Sequence, residues 1–140
     1  MKSCMATKIE AYVDTSALIA FLDSSDTYHK IFANRFASPP TLLTSPLVIA
    51  ETHGWFLRRY DQHRAFEFLS FIESLPSFTV VDLTKANLLE AKKYLHKFAD
   101  ERLTLVDATG LWVMDKQRVQ HCWSTDRHLG LSGKLLAVYG

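Results

Sequence analysis

The fold is decided by residues 9–22, which read Ile9-Glu10-Ala11-Tyr12-Val13-Asp14-Thr15-Ser16-Ala17-Leu18-Ile19-Ala20-Phe21-Leu22. The first five residues are short and β-prone. The next three favour a turn and the start of a helix, and an apolar run follows them. This order predicts a strand, a turn and a helix, with Asp14 placed directly after the strand.

The rest of the chain alternates between helical and strand patterns. Further helices are predicted at residues 28–36, 46–60, 62–74, 84–98 and 105–116. Further strands are predicted at residues 78–81, 119–124 and 135–139. Ser45-Pro46 and Thr104-x-x-Asp107 are both typical of helix starts. The alternation favours one α/β domain over residues 1–140, with helices packed around a mainly parallel central sheet.

Composition limits the class of protein. A chain of 140 residues with 48% hydrophobic content has material for one core of ordinary size. Its two cysteines, Cys4 and Cys122, form no C-x-x-C pair, so we expect neither a disulfide scaffold nor a zinc site. We expect a reduced cytoplasmic setting instead. The N-terminus lacks the apolar run of a signal peptide, and no stretch reaches the ~20 apolar residues of a membrane span.

Four acidic residues occupy positions where chemistry is common. Asp14 and Asp126 each follow a predicted strand, Glu51 follows an apolar run on a predicted helix, and Asp107 lies in the first turn of another. Ligands of parallel sheets bind outside the carboxyl ends of the strands, so we expect these acids to converge there. Two carboxylates ~4 Å apart repel by about 4 kcal/mol at an effective dielectric near 20, so such a cluster binds cations or protons. Oxygen ligands without His or Cys favour Mg²⁺, with Mn²⁺ as the alternative.

Each acid also has a purely structural interpretation. Asp14 and Asp126 suit a turn or a helix N-cap, Asp107 suits a capping box with Thr104, and Glu51 suits a solvated helix face. Capping and chemistry are compatible, because a carboxylate at a helix start is stabilised by the helix dipole and can still face a pocket. The histidines are scattered. Only His128, two residues after Asp126, is a candidate for touching substrate.

Four short motifs contain these acids: Val13-Asp14-Thr15-Ser16-Ala17-Leu18, Val48-Ile49-Ala50-Glu51-Thr52, Leu105-Val106-Asp107-Ala108 and Ser124-Thr125-Asp126-Arg127-His128. In order and spacing they resemble the PIN domain family, especially the single-domain VapC-like toxins of toxin-antitoxin pairs. The resemblance implies a PIN-like α/β/α sandwich, a divalent metal and endonucleolytic cleavage of RNA.

The resemblance also implies roles for individual residues. The catalytic acids would be Asp14, Glu51, Asp107 and Asp126; hydroxyls of Thr15, Ser16 and Thr125 would support them. Our hypothesis is that Asp14, Asp107 and Asp126 hold one or two Mg²⁺ ions, while Glu51 acts through water or orients the nucleophile.

Partners follow from charge and from the same resemblance. The net charge is +1 and the pI is near 7.8, without the strong basic excess that many nucleic-acid binders show. The electrostatic potential of a surface patch can still differ from what the net charge of the chain suggests. Arg58, Arg59 and Arg127 are candidate contacts to RNA phosphates. The resemblance further implies a small antitoxin protein as partner and a homodimer.

Other functions compete with a toxin nuclease. A haloacid-dehalogenase-type phosphatase needs a second acid two residues after the first, where this chain has Ser16. A receiver-type phosphorylation module needs an acid pair at the first strand, where single acids occur. Two alternatives share the fold and stay open: a housekeeping RNA-processing nuclease outside a toxin-antitoxin pair, and a non-catalytic protein-interaction module.

Overall fold

A computed structural model describes residues 8–137, and within that range five parallel strands form one sheet in the order β3-β2-β1-β4-β5. The strands are β1 (Ala11–Val13), β2 (Leu42–Thr44), β3 (Phe78–Val80), β4 (His121–Trp123) and β5 (Leu135–Leu136). Every pair of neighbouring strands is parallel. The prediction of a mainly parallel sheet is therefore confirmed.

Helices connect the strands and cover the sheet. They are α1 (Thr15–Leu22), α2 (His29–Ala37), α3 (Pro46–Arg59), α4 (Gln62–Ser74), α5 (Lys85–Lys97) and α6 (Leu105–Gln117). Two 3-10 helices follow α5 and β4, at Ala99–Glu101 and Arg127–Gly133. α1 packs against α2 and α3, α3 against α4, and α5 against α6. The architecture is the predicted α/β/α sandwich.

The strand order places a switch point between β1 and β4. The chain moves outward from β1 through β2 to β3, and then returns to the other side of β1 as β4. The backbone N–H of Asp14 donates to the carbonyl of Trp123 at 3.0 Å, which continues the pairing of these strands past their ends. Ligands of open α/β sheets bind at such a crevice. Asp14 lies at this one.

The predicted helix starts are present. Ser45 Oγ accepts from the Val48 N–H at 3.4 Å, with Pro46 at the first helical position. Thr104 and Asp107 form the predicted capping box, in which each side chain accepts from the other's backbone N–H, at 3.1 and 3.2 Å. Helix boundaries agree with the sequence predictions to within one or two residues, and these caps fix the starts of α3 and α6.

The strands were predicted less well. β2 was missed, because three fully buried residues show no alternation of apolar and polar positions. β1 begins at Ala11, two residues later than predicted, and β4 is three residues long instead of six. The strand predicted at residues 135–139 is limited to Leu135–Leu136; residues 138–140 lie outside the described part.

Gly110 sets the approach of α6 to the sheet. All residues from Asp107 to Met114 are buried. A Cβ on Gly110 would lie 2.9 Å from Leu129 Cδ1 and 3.1 Å from Tyr12 Cε2, distances at which a neighbour must move. The missing side chain therefore lets α6 pack closely on β1, and that contact places Asp107, three residues earlier, beside the end of the strand.

The segment after β4 is anchored at both ends. Leu129, near its start, is fully buried. At its far end Lys134 Nζ donates to Asp115 Oδ1 at 2.5 Å, and Tyr94 of α5 donates to the other oxygen of the same carboxylate. The 3-10 helix Arg127–Gly133 is thus held against α6, with Asp126 at its N-cap.

Among the helices that the structure describes, none combines the length and the apolar character that crossing a membrane requires. Cys122 is a buried free thiol on β4.

Candidate active site

Asp14 is the most deeply buried acid at the carboxyl edge of the sheet. Its side chain is 5% exposed, and Oδ2 accepts from Ser124 Oγ at 2.9 Å and from Ser16 Oγ at 3.1 Å. Burial raises the pKa of Asp14 to about 6, although these hydroxyls work in the opposite direction. Asp14 is the N-cap residue of α1, but its side chain makes no capping hydrogen bond. The capping interpretation therefore does not explain it.

Asp107 and Asp126 face each other across the crevice, with His128 between them. One ligand atom from each of the three side chains lies within 4.8 Å of the other two. His128 Nδ1 is 3.3 Å from Asp126 Oδ1 and 3.6 Å from Asp107 Oδ2. Within the described part of the chain, these three side chains form a group that could hold a metal ion.

Asp107 lies at the centre of the negative charge. Burial raises the pKa of Asp107, and the charge of Asp126 adds to this effect. The charge of Asp107 in turn raises the pKa of Asp14. Asp107 is therefore electrostatically coupled to both of the other aspartates, a situation that a bound cation relieves. Its capping bond to Thr104 and its place in the crevice exist together, as the sequence allowed.

Glu51 lies at the margin of the site. It is exposed on α3, and its Oε1 accepts from Thr15 Oγ1 at 2.5 Å. Thr15 follows Asp14 directly, so this hydroxyl links Glu51 to the buried acid. The apolar run before Glu51 suggested a less exposed position, and that expectation was wrong: the run alternates between inward and outward positions on the helix.

The sequence analysis did not predict the roles that Ser124 and His128 have in the site. Ser124 is fully buried, and its Oγ also accepts from the Asp126 N–H at 2.9 Å, so it joins two of the acids. Its position directly after β4 is the sequence feature that could have indicated a role in the site. The predicted supporting residue Thr125 contributes its backbone N–H, which donates to Ser16 Oγ at 2.9 Å. His128 was considered only as a substrate contact and instead lies among the acids.

The candidate RNA contacts are separated in the structure. Arg127 lines a cavity of about 440 Å³ together with Asp126, His128 and Glu101. Arg58 lies two helical turns beyond Glu51 on α3, on the same face. Arg59 packs its guanidinium over the ring of Tyr60 at 5.1 Å. Arg127 and Arg58 are thus the better placed of the three, and all three roles stay predictions.

A second and larger cavity lies elsewhere. It measures about 540 Å³ and is lined by residues that include Glu10, Arg35 and His121. Glu10 precedes β1 and His121 begins β4, and none of the four candidate acids is among the residues that line this cavity. The acids stand at the carboxyl ends. Chemistry, rather than size, therefore identifies the site.

A parallel sheet whose crevice holds Asp14, Asp107 and Asp126 agrees with a known class. The family model described as "PIN domain" matches residues 11–128. The chain therefore belongs to the PIN domain family and is a nuclease, which confirms the resemblance stated from the four motifs.

Among proteins with similar sequences is VapC20 of Mycobacterium tuberculosis, named a 23S rRNA-specific endonuclease. It is 32% identical over 125 residues, which cover 87% of this chain and 93% of VapC20. Its crystal structure, described as that of a sarcin-ricin loop cleaving toxin, superposes with a TM-score of 0.82 at 25% identity and covers 90% of this chain and 97% of that one.

Two further proteins are more distant. Ribonuclease VapC26 of the same organism is 24% identical over 116 residues, covering 82% of this chain and 85% of VapC26. A chain from a toxin-antitoxin complex of Klebsiella pneumoniae has a TM-score of 0.61 at 16% identity, and the match covers 91% of this chain and 95% of that one. The Klebsiella match shows the shared fold.

Replacing Ser124 with alanine tests how the acids are supported. Because Ser124 Oγ donates to Asp14 and accepts from the Asp126 N–H, we expect Ser124→Ala to weaken Mn²⁺ binding about 10- to 100-fold. Stability should fall by about 1–3 kcal/mol, since buried polar groups lose their partner. Calorimetric titration and thermal unfolding measure the two effects. Ser74→Ala, at an exposed position on α4, is the matched control; equal Mn²⁺ affinity in both variants would contradict the supporting role.

Proposed function

We propose that the chain is a divalent-metal-dependent endoribonuclease that hydrolyses RNA phosphodiester bonds. One observation carries this proposal: ligand atoms of Asp107, Asp126 and His128 lie within 4.8 Å of one another, beside a buried Asp14 whose pKa is raised. Three carboxylates at one edge of the sheet repel one another, and bound cations offset this repulsion. Their oxygen ligands fit Mg²⁺ or Mn²⁺.

The chain's own residues divide the work around such an ion. Asp14, Asp107 and Asp126 would hold it, and Ser16 and Ser124 fix the orientation of Asp14. A bound ion lowers the pKa of water and offsets the charge that develops on the phosphate. Glu51, exposed and anchored to Thr15, can orient a water from the solvent side. Arg127 offers a guanidinium to a phosphate in the adjacent cavity.

The proposal is tested by the metal dependence and the products of cleavage. Purified protein should cut RNA in the presence of Mg²⁺ or Mn²⁺, stop when EDTA is added, and leave 5′-phosphate and 3′-hydroxyl ends, because attack by water breaks the bond to the 3′ oxygen. End-labelled RNA resolved on gels measures both the cuts and the ends. Cleavage that continues in EDTA, or that leaves a cyclic phosphate, would rule the mechanism out.

The substrate we propose is structured ribosomal RNA. VapC20 matches over nearly its whole length and is named for 23S rRNA, with the sarcin-ricin loop as its site. A synthetic hairpin of that loop, compared with a hairpin of equal length and unrelated loop sequence, tests whether the preference is shared. Primer extension on intact ribosomes locates the cut.

We also propose that the chain is the toxin of a toxin-antitoxin pair and forms a homodimer. Toxin-antitoxin complexes among the proteins of similar fold support the first part, and the family resemblance supports the second. A small reading frame directly beside the gene, whose product blocks RNA cleavage, would separate a toxin from a housekeeping nuclease. Sedimentation measures the oligomeric state. A non-catalytic module is disfavoured, because all four acids are kept.

A further inference from the structure

His128 occupies a position that an acid-only metal site does not explain. It is two residues after Asp126, on the 3-10 helix Arg127–Gly133, and its side chain is 34% exposed. Its backbone N–H donates to Asp126 Oδ1 at 2.9 Å, and the next residue, Leu129, is fully buried against α6. The backbone on either side is therefore fixed, and the imidazole is directed back at the acids.

The distances around Nδ1 agree with ligands of a single ion. Adjacent donors of an octahedral ion at about 2.1 Å are separated by about 3 Å. Nδ1 lies 3.3 Å from Asp126 Oδ1 and 3.6 Å from Asp107 Oδ2. A shift of a few tenths of an ångström would bring Nδ1 to that spacing from each of the two carboxylate oxygens.

The opposite ring nitrogen also has a suitable partner. Nε2 lies 4.0 Å from Glu101 Oε2, on the 3-10 helix that precedes α6. Histidines that bind metals commonly direct their second nitrogen, which carries the proton, toward a carboxylate. A movement of about 1 Å by the exposed Glu101 side chain would let it accept the Nε2–H, which leaves Nδ1 free to bind an ion.

We propose that His128 Nδ1 is a direct ligand of the ion held by Asp107 and Asp126, so that this site selects Mn²⁺ over Mg²⁺. Imidazole nitrogen binds transition-metal ions better than it binds Mg²⁺, which prefers oxygen. This inference rests on the proposed metal-dependent function and refines which ion the site takes.

The direct test is pulsed electron paramagnetic resonance of the Mn²⁺-loaded full chain. We expect an imidazole ¹⁴N coupling to Mn²⁺ in the natural protein, replaced by a ¹⁵N coupling when only histidine is labelled with ¹⁵N. Neither measurement needs a variant. A spectrum without histidine nitrogen coupling overturns the proposal, as does a protein that binds no Mn²⁺.

A variant tests selectivity. His128→Leu should lose the coupling and lower Mn²⁺ affinity about 10-fold more than Mg²⁺ affinity, measured by displacing Mn²⁺ with Mg²⁺. His63→Leu is the matched control, because His63 is exposed on α4 and pairs only along its own helix. Equal losses for the two ions in folded His128→Leu would overturn the proposal. RNA cleavage that still requires Mn²⁺ or Mg²⁺ would then leave the nuclease assignment standing, so the two failures are distinguishable.

Discussion

Asp14→Asn should abolish RNA cleavage and, at the same time, stabilise the metal-free protein at neutral pH. Cleavage should fall by about 100- to 1,000-fold or more, because a preorganised group that positions the reaction is lost. The stabilisation follows from burial, since the carboxylate of Asp14 must be charged at pH 7 in a place that disfavours charge. Gel assays of cleavage and chemical unfolding in a chelator measure the two effects.

The pH dependence gives the sign of this effect. The pKa of Asp14 is about 6 in the folded protein against 3.8 for the ordinary group. Between these values the folded state holds a proton that the unfolded state has released, so the stability of the metal-free protein falls as pH rises from about 4 to 6. A shift of about two units corresponds to at most about 3 kcal/mol, and an asparagine that still needs hydrogen bonds should regain about 1–3.

Asp23→Asn is the matched control and should change stability in the opposite direction. Asp23 is also 5% exposed, and burial alone would raise its pKa, but hydrogen bonds from the Ser25 hydroxyl and N–H, at 2.7 and 3.0 Å, outweigh this and lower it. Its charged form is therefore favoured by folding, and its loss should destabilise the protein near pH 7. If both variants were destabilised equally, the charged form of Asp14 would not be disfavoured by burial.

Asp107→Asn should remove metal binding without unfolding α6. Asparagine can still accept from the Thr104 N–H, so the capping box is preserved. The negative charge of Asp107, which is coupled to Asp14 and Asp126, is removed. We expect Mn²⁺ affinity to fall more than about 100-fold, since losing even a supporting partner of a ligand costs about 10- to 100-fold. RNA cleavage should fall with it. Calorimetric titration with Mn²⁺ and circular dichroism measure binding and helix content.

Thr104→Ala tests the capping role of Asp107 separately from the role of its charge. It removes the hydroxyl that accepts from the Asp107 N–H and leaves the carboxylate in place. Stability should fall by about 0.5–2 kcal/mol, as for other N-caps. Mn²⁺ binding should change little. If Thr104→Ala lost as much Mn²⁺ affinity as Asp107→Asn, the capping box rather than the charge would control the site.

The sequence predicted the helices and singled out the candidate acids because the signals for both are local. Caps at Ser45 and Thr104 depend on residues three positions away, and Asp14 was recognised by the strand before it and the helix after it. β2 escaped prediction because Leu42, Leu43 and Thr44 are buried on both faces, where periodicity disappears.

The site was predicted as a list of acids but not as a geometry. The hydrogen bond from Ser124 to Asp14 joins residues 110 positions apart, and no short motif encodes it. His128 lies among the acids because Leu129 fills the space over Gly110, a packing contact between two distant segments. Side-chain types gave the chemistry; tertiary packing decided which atoms meet.

The pairing of β1 with β4 has a consequence for the synthesis of the protein. Asp14 is made early, whereas Ser124, Asp126 and His128 are added only after the residues of β1 to β4 and of α1 to α6. A growing polypeptide that ends before β4 therefore lacks Asp126 and His128 and cannot assemble the acid group at the crevice. The group of acids at the carboxyl edge of the sheet is complete only once β4 has left the ribosome and inserted beside β1.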